Sequence, residues 1–278
     1  MLGNRLILTI LAPAIALSLA CIRANCESEQ QRSTDTPKQT PKTGYFLRGS
    51  VEHQESMPAV QDDLQPGKTY QEANVEQVIP ADKWYRVPDW LAGDWHNDTR
   101  TNYYWQDLTT GDIDHSVKDI VSRGDETIGW QPDRDGNIWQ YQSAPYSHRT
   151  EGEDTYVVHQ IKSYEPVEMQ ENKFVDRSVS VQINVKRRTG KILWVAQVEQ
   201  LHIYTPMSPT EVRREDSSKV FDMNGQPLRL EKAYEIETQT TKFRPVNFYH
   251  GKNVKQLFAD WLATNGMNDL IPAQTANN

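Results

Sequence analysis

Val179, Val181, Ile183 and Val185 fall on every second position, with Ser180, Gln182 and Asn184 between them. Successive strand side chains point to opposite faces, so this spacing predicts a half-buried strand with an apolar and a polar side. Arg187-Arg188-Thr189-Gly190 follows as a polar turn, and Lys191 to Tyr204 resumes as a longer β-rich run, which makes the pair a β-hairpin. Similar runs occupy 99–108, 116–122, 126–131, 137–143 and 155–164, and a last pair, 211–222 and 226–240, is joined by Asn224-Gly225, a strong hairpin signal. Leu228, Leu230, Tyr234 and Ile236 share one face of the final strand. About nine strands joined by tight turns predict a mainly β antiparallel meander, and closure into a barrel is the simplest way to remove its edges. The period then changes: Val254, Leu257, Phe258, Trp261 and Leu262 recur at helical spacing, with Asn253 as N-cap and Asn265-Gly266 as the stop.

The first residues follow different rules. A basic start at Arg5, the apolar run from Leu6 to Ala20 and small residues at Ser18 and Ala20 are ordered as in a secretory signal peptide. Leu17-Ser18-Leu19-Ala20-Cys21 resembles the lipobox of bacterial lipoproteins, departing from it at Ser18, where the pattern has leucine. That resemblance implies lipidation at Cys21 and an exported protein held at a membrane of the cell envelope by an N-terminal lipid anchor. Ser18-Leu19-Ala20 equally satisfies ordinary signal cleavage, which implies plain secretion. Cys21 and Cys26 are the only cysteines, so no disulfide can staple the folded part. From Glu27 the chain is rich in Gln, Thr, Ser, Glu, Lys and Pro, too poor in apolar surface to offset chain entropy. The predicted layout is a signal segment over 1–26, a disordered tether over 27–82, a β-barrel domain with its helix over 83–266, and a flexible tail over 267–278.

All eight tryptophans lie between Trp84 and Trp261. At the entry to this region Trp90-Leu91 precede Gly93-Asp94-Trp95, and the stretch resembles the lipocalins and wider calycins, whose first strand opens with glycine-x-tryptophan after a short helical turn. The resemblance implies a lipocalin-like barrel with a C-terminal helix. It implies further that Trp95 plugs the closed end and that Arg244, following the last strand, packs over it.

A net charge of −8 argues against nucleic acid, because phosphate recognition needs a concentrated basic face. None of the seven histidines pairs at a metal-ligand spacing, so neither a metal nor another cofactor is expected. There is no nucleophile elbow or phosphate loop, and the chain is read as a non-enzyme. Glu151, Glu153 and Asp154 are the carboxylates for a glycan-acting enzyme, but read more simply as a polar turn. Arg213-Arg214-Glu215-Asp216 reads as a solvated strand face. The aromatic enrichment carries the functional expectation. Trp139 and Tyr141 share one strand face, and Trp194 and His202 share another with Ile192, Ala196 and Val198. In a hollow barrel these four would bind a small apolar or amphipathic ligand; in a filled one they are core, and an outer face would serve an envelope protein partner.

Overall fold

The computed structural model describes residues 52–74, 81–249 and 251–272. The signal segment, Cys21 and residues 27–51 of the expected tether lie outside the described residues. Among the described residues fourteen strands and one α-helix follow in order: β1 (Ala81–Val87), β2 (Gly93–Asp107), β3 (Ile113–Asp114), β4 (Lys118–Ile128), β5 (Gln131–Pro132), β6 (Ile138–Ala144), β7 (Tyr146–Glu151), β8 (Thr155–Gln170), β9 (Lys173–Lys186), β10 (Ile192–Ser208), β11 (Glu211–Phe221), β12 (Pro227–Lys242), β13 (Phe248–Tyr249), β14 (Lys252–Asn253) and α1 (Val254–Thr264).

The fold is mainly β. Nine strands form one antiparallel sheet in the order β3-β2-β12-β11-β10-β9-β8-β7, with β4 also paired to β2. From β7 to β12 every neighbour in sequence is a neighbour in space, as hairpin connections require. The exception is β2, which joins the far end of the meander by pairing with β12, Thr238 opposite His96 and Arg229 opposite Asp107. Among the described residues no ladder joins the edge strand β4 to the edge strand β7.

The sheet is strongly curled. Strands β11 and β4 are separated by β12 and β2, about 14 Å in a flat sheet, yet Arg214 on β11 reaches Glu126 on β4 at 3.2 Å. A single apolar cluster likewise combines Trp95 from β2, Ile128 from β4, Phe174 from β9, Tyr204 from β10 and Val212 from β11. The curl defines an inner face.

A second, smaller layer is the sheet β1-β6-β5 with α1 packed on it. The helix starts where the Asn253 side chain accepts the Gln256 N–H at 3.0 Å, and it buries Val254, Phe258 and Leu262, spaced to lie on one side. These residues meet Trp84, Trp130, Trp139 and Tyr141 in an aromatic core.

Three expectations are corrected here. Residues 52–74 of the expected tether form a strap on the outer face of the sheet: Val60 and Leu64 are buried against Val181, Ile183, Val185 and Val195. Backbone bonds from Met57 N to Gly225 O at 3.0 Å and from Val60 N to Met223 O at 2.7 Å fasten it. At the other end, 267–272 is not a loose tail, since Leu270 and Ile271 pack on the helix layer and Leu270 O accepts from Arg134 N. Finally, β9 is buried on both sides. The strap covers its apolar face, and the curl encloses Ser180, Gln182 and Asn184 on the other.

Candidate inner-face site

Residues directly opposite one another in antiparallel strands share a face. Registers therefore carry one face across the sheet: Tyr164 opposite Ser178 on β8 and β9, Asp176 opposite His202 on β9 and β10, His202 opposite Asp216 and then Ala233, Arg214 opposite Glu235, Glu235 opposite Arg100, and Trp95 opposite Glu126. Along the strands this inner face is layered.

The first layer is an apolar plug. Trp95 is 1% exposed, packed with Leu91, Phe174, Tyr204 and Val212, and its indole N–H donates to the Leu91 carbonyl at 2.8 Å. Trp90 and Leu91 lie in or beside this plug on the helical turn Asp89–Leu91 that precedes β2. Gly93 has φ +147, and a Cβ there would meet the Thr241 carbonyl at 2.6 Å, so β12 approaches a backbone that only glycine suits. Arg244 does not cover Trp95. It is exposed, and among the described residues no cation-π contact joins the two. Alternation along an extended chain turns Arg244 away and sends its neighbour Phe243 onto the plug.

The second layer is an ionic belt. Arg214 contacts Glu235, Glu237 (Nη1 to Oε1, 2.6 Å), Glu126 (3.2 Å) and Asp216 (Nε to Oδ1, 3.3 Å). Arg100 contacts Asp216 and, at 3.3 Å, Glu235. His202 Nδ1 lies 2.6 Å from Asp176, whose other oxygen accepts from the Tyr164 hydroxyl at 2.8 Å. Five carboxylates thus face two guanidiniums and one imidazole. Burial, with Glu126, Glu235 and Asp216 adding to it and Arg214 opposing, pushes Glu237 up to about 8. Burial also raises Glu126. Asp216 is lowered: burial would raise it, but Arg214, His202 and Arg100 outweigh that cost. For His202 burial favours the neutral ring, and the carboxylates of Asp176 and Asp216 overcome it, raising the imidazole. The belt therefore holds protons that isolated side chains would not.

The third layer is uncharged and polar. Ser178, Ser180, Gln182 and Asn184 on β9 face it, with Trp194, Ala196, Val198 and Gln200 on β10 and Ser218 on β11. Gln182 is 6% and Asn184 8% exposed, and Ser218 is buried as well. Among the described residues none of these polar side chains hydrogen-bonds to another protein group, and none of their polar atoms is cut off from solvent. On β8 and β7, His159 and His148 stack at 4.7 Å; burial, and for His159 also its partner, lowers both, His159 to about 4. Both rings are neutral at neutral pH.

The four residues expected to bind a ligand do not converge. Trp139 and Tyr141 belong to the filled helix layer, their polar atoms engaged by Asp133 at 3.0 Å and Asp82 at 2.5 Å. His202 sits in the belt and Trp194 in the uncharged layer. Ile192 leaves the face of Trp194, because a bulge between them places it on the outer, strap-covered side. Arg214 and Asp216 are not solvated but buried, whereas Arg213 and Glu215 alternate with them on the outside. Arg100, Asp176, Glu235 and Glu237 escape a reading of the sequence, since alternating carboxylates opposite Tyr234 and Ile236 look like a solvent face. Glu151, Glu153 and Asp154 are exposed at the β7–β8 turn. Among the described residues no cluster of three or more His, Cys, Asp or Glu could hold a metal ion, and no helix is long and apolar enough to cross a membrane. Against protein-family models, curated proteins and solved structures the chain has no match.

Proposed function

We propose that this is an exported, lipid-anchored, non-catalytic protein whose curled sheet acts as a lipocalin-like barrel and binds a small amphipathic ligand on its inner face. One observation carries the reading: among the described residues, a row of buried and half-buried, uncharged polar side chains has no hydrogen-bond partner within the protein. Their polar atoms keep access to water, so a molecule entering this face must replace that hydration with hydrogen bonds of its own or leave each group unpaired at about 1 to 3 kcal/mol. The row is accounted for if a bound molecule or its solvent supplies the missing bonds. Barrel closure is supported by the reach of Arg214 to Glu126 and by the Trp95 plug at one end. The ligand site moves accordingly from the four aromatic positions to Trp194 and its polar neighbours. Native mass spectrometry of the purified full chain tests this. A mass increment released by organic extraction is expected, and an interior that holds only water under saturating titration with laurate and neutral oligosaccharides overturns it.

A second reading, a surface that recruits an envelope protein, draws on the exposed apolar side chains Trp105, Ile113, Val117, Ile120 and Val121 along the β2, β3 and β4 edge. Crosslinking from position 121 in intact cells should then trap one defined partner.

A further inference from the structure

Resting on the reading of the inner face as a ligand site, we infer that its ligand is a neutral, hydroxyl-rich molecule of the oligosaccharide class, held by Gln182, Asn184, Ser180, Ser218, Gln200 and Trp194. Each choice follows from what lines the third layer. No charged side chain faces inward from 178–184 on β9, from 194–200 on β10 or from 218–220 on β11. The nearest charged pair on β12, Arg229 and Glu231, is mutually neutralised at 2.6 Å. A charged ligand would be desolvated there without a counter-charge, which is costly. A purely apolar ligand would displace water from five amide or hydroxyl side chains and leave them unpaired, a penalty that hydrocarbon contact does not recover.

Amides and hydroxyls both donate and accept, and so do sugar hydroxyls, so the two sets satisfy each other without either being ionised. Trp194 adds the remaining requirement. Its half-buried indole shares the face of Ala196 and Val198 and offers a flat apolar surface to the C–H side of a pyranose ring. From Ser178 to Asn184 the strand advances about 20 Å, so the polar row is as long as several sugar units. His159 and His148 border the layer as uncharged rings, consistent with a neutral ligand.

The test is calorimetric titration of the purified full chain with maltotetraose, cellotetraose, chitotetraose and, as a contrast, laurate. At least one tetrasaccharide is expected to bind, with a Kd of about 1 mM or tighter. Gln182→Leu combined with Asn184→Leu should weaken it tenfold or more. Because that pair of changes could disturb β9, Trp194→Ala and Ser218→Ala serve as independent variants, each checked by thermal unfolding, and each should weaken binding severalfold. Saccharide binding that none of these variants changes overturns the assignment of the site. Laurate binding without any saccharide overturns the neutral-sugar inference and leaves the amphipathic-ligand reading standing. Binding of neither overturns both.

Discussion

Glu237 is 1% exposed, and Arg214 Nη1 stands 2.6 Å from one of its oxygens without the geometry of a good hydrogen bond. Its ordinary value is 4.5 and in the fold it is pushed up to about 8. Between those values the folded state binds more protons than the unfolded state, so stability is lost as pH rises through that window. Glu126 is raised beside it, and ionising Glu237 in the fold should cost on the order of several kcal/mol. Glu237→Gln should therefore raise the urea midpoint at pH 8 to 9 and change it little at pH 5. A wild-type midpoint independent of pH between 5 and 9 counts against the buried proton. His159 works from the other side. Lowered from 6.5 to about 4, it charges more readily unfolded, so stability falls as pH drops through that interval, and His159→Gln should flatten the acid limb. At the plug, Trp95→Ala should cost about 3 to 5 kcal/mol, Arg244→Ala within about 0.5 kcal/mol of nothing, and the double mutant should be additive to a few tenths of a kcal/mol.

Among the elements, the strap makes the sharpest demand on its neighbours. Gly225, φ +81 in the β11–β12 turn, has the Met57 carbonyl 1.7 Å from where a Cβ would stand. Gly225→Ala must push the strap away, whereas Gly136→Ala, at φ +89 with nothing within 4 Å, costs only the backbone preference, about 1 kcal/mol. Limited proteolysis should show new cleavage within 52–74 for the first variant and not for the second. Leu64→Ala, emptying a fully packed position, should cost about 2 to 5 kcal/mol. The sequence makes most strands of the large sheet, the Asn224-Gly225 hairpin, the helix with its Asn253 cap and the turn before β2 readable, because period, turn chemistry and capping are local, whereas β1 and β7 go unread and β4 is read as two strands. The strap is not legible, since three apolar residues scattered among polar ones mean little until the Val181, Ile183 and Val195 face beneath them is known. The faces of β11 and β12 mislead for the same reason: Arg214 and Glu235 are acceptable inside only as each other's partners, and pairing is a property of the sheet.

At the scale of the molecule, the proposed lipid anchor bears on location and not on the folded sheet. If Cys21 carries a lipid, Cys21→Ser should move the protein from the membrane to the soluble exported fraction and remove a mass increment from the N-terminal peptide, while the unfolding midpoint stays unchanged. An unaltered distribution would point to plain secretion.

The strap also sets a clock. It is synthesised first, yet its seat is made of β9, β10 and the β11–β12 turn, with Met57 bonded to Gly225. Roughly 170 residues must be added between the two, about 10 to 30 s at ordinary translation rates. β2 can pair with β3 and β4 soon after it is made, but its other edge waits for β12, the last strand of the large sheet. The chain must therefore carry the strap unseated through most of its own synthesis. A nascent chain stopped before β12 lacks the hairpin that clasps the strap and the strand that covers the second edge of β2, and should be cut by protease within 52–74 until the last hairpin emerges.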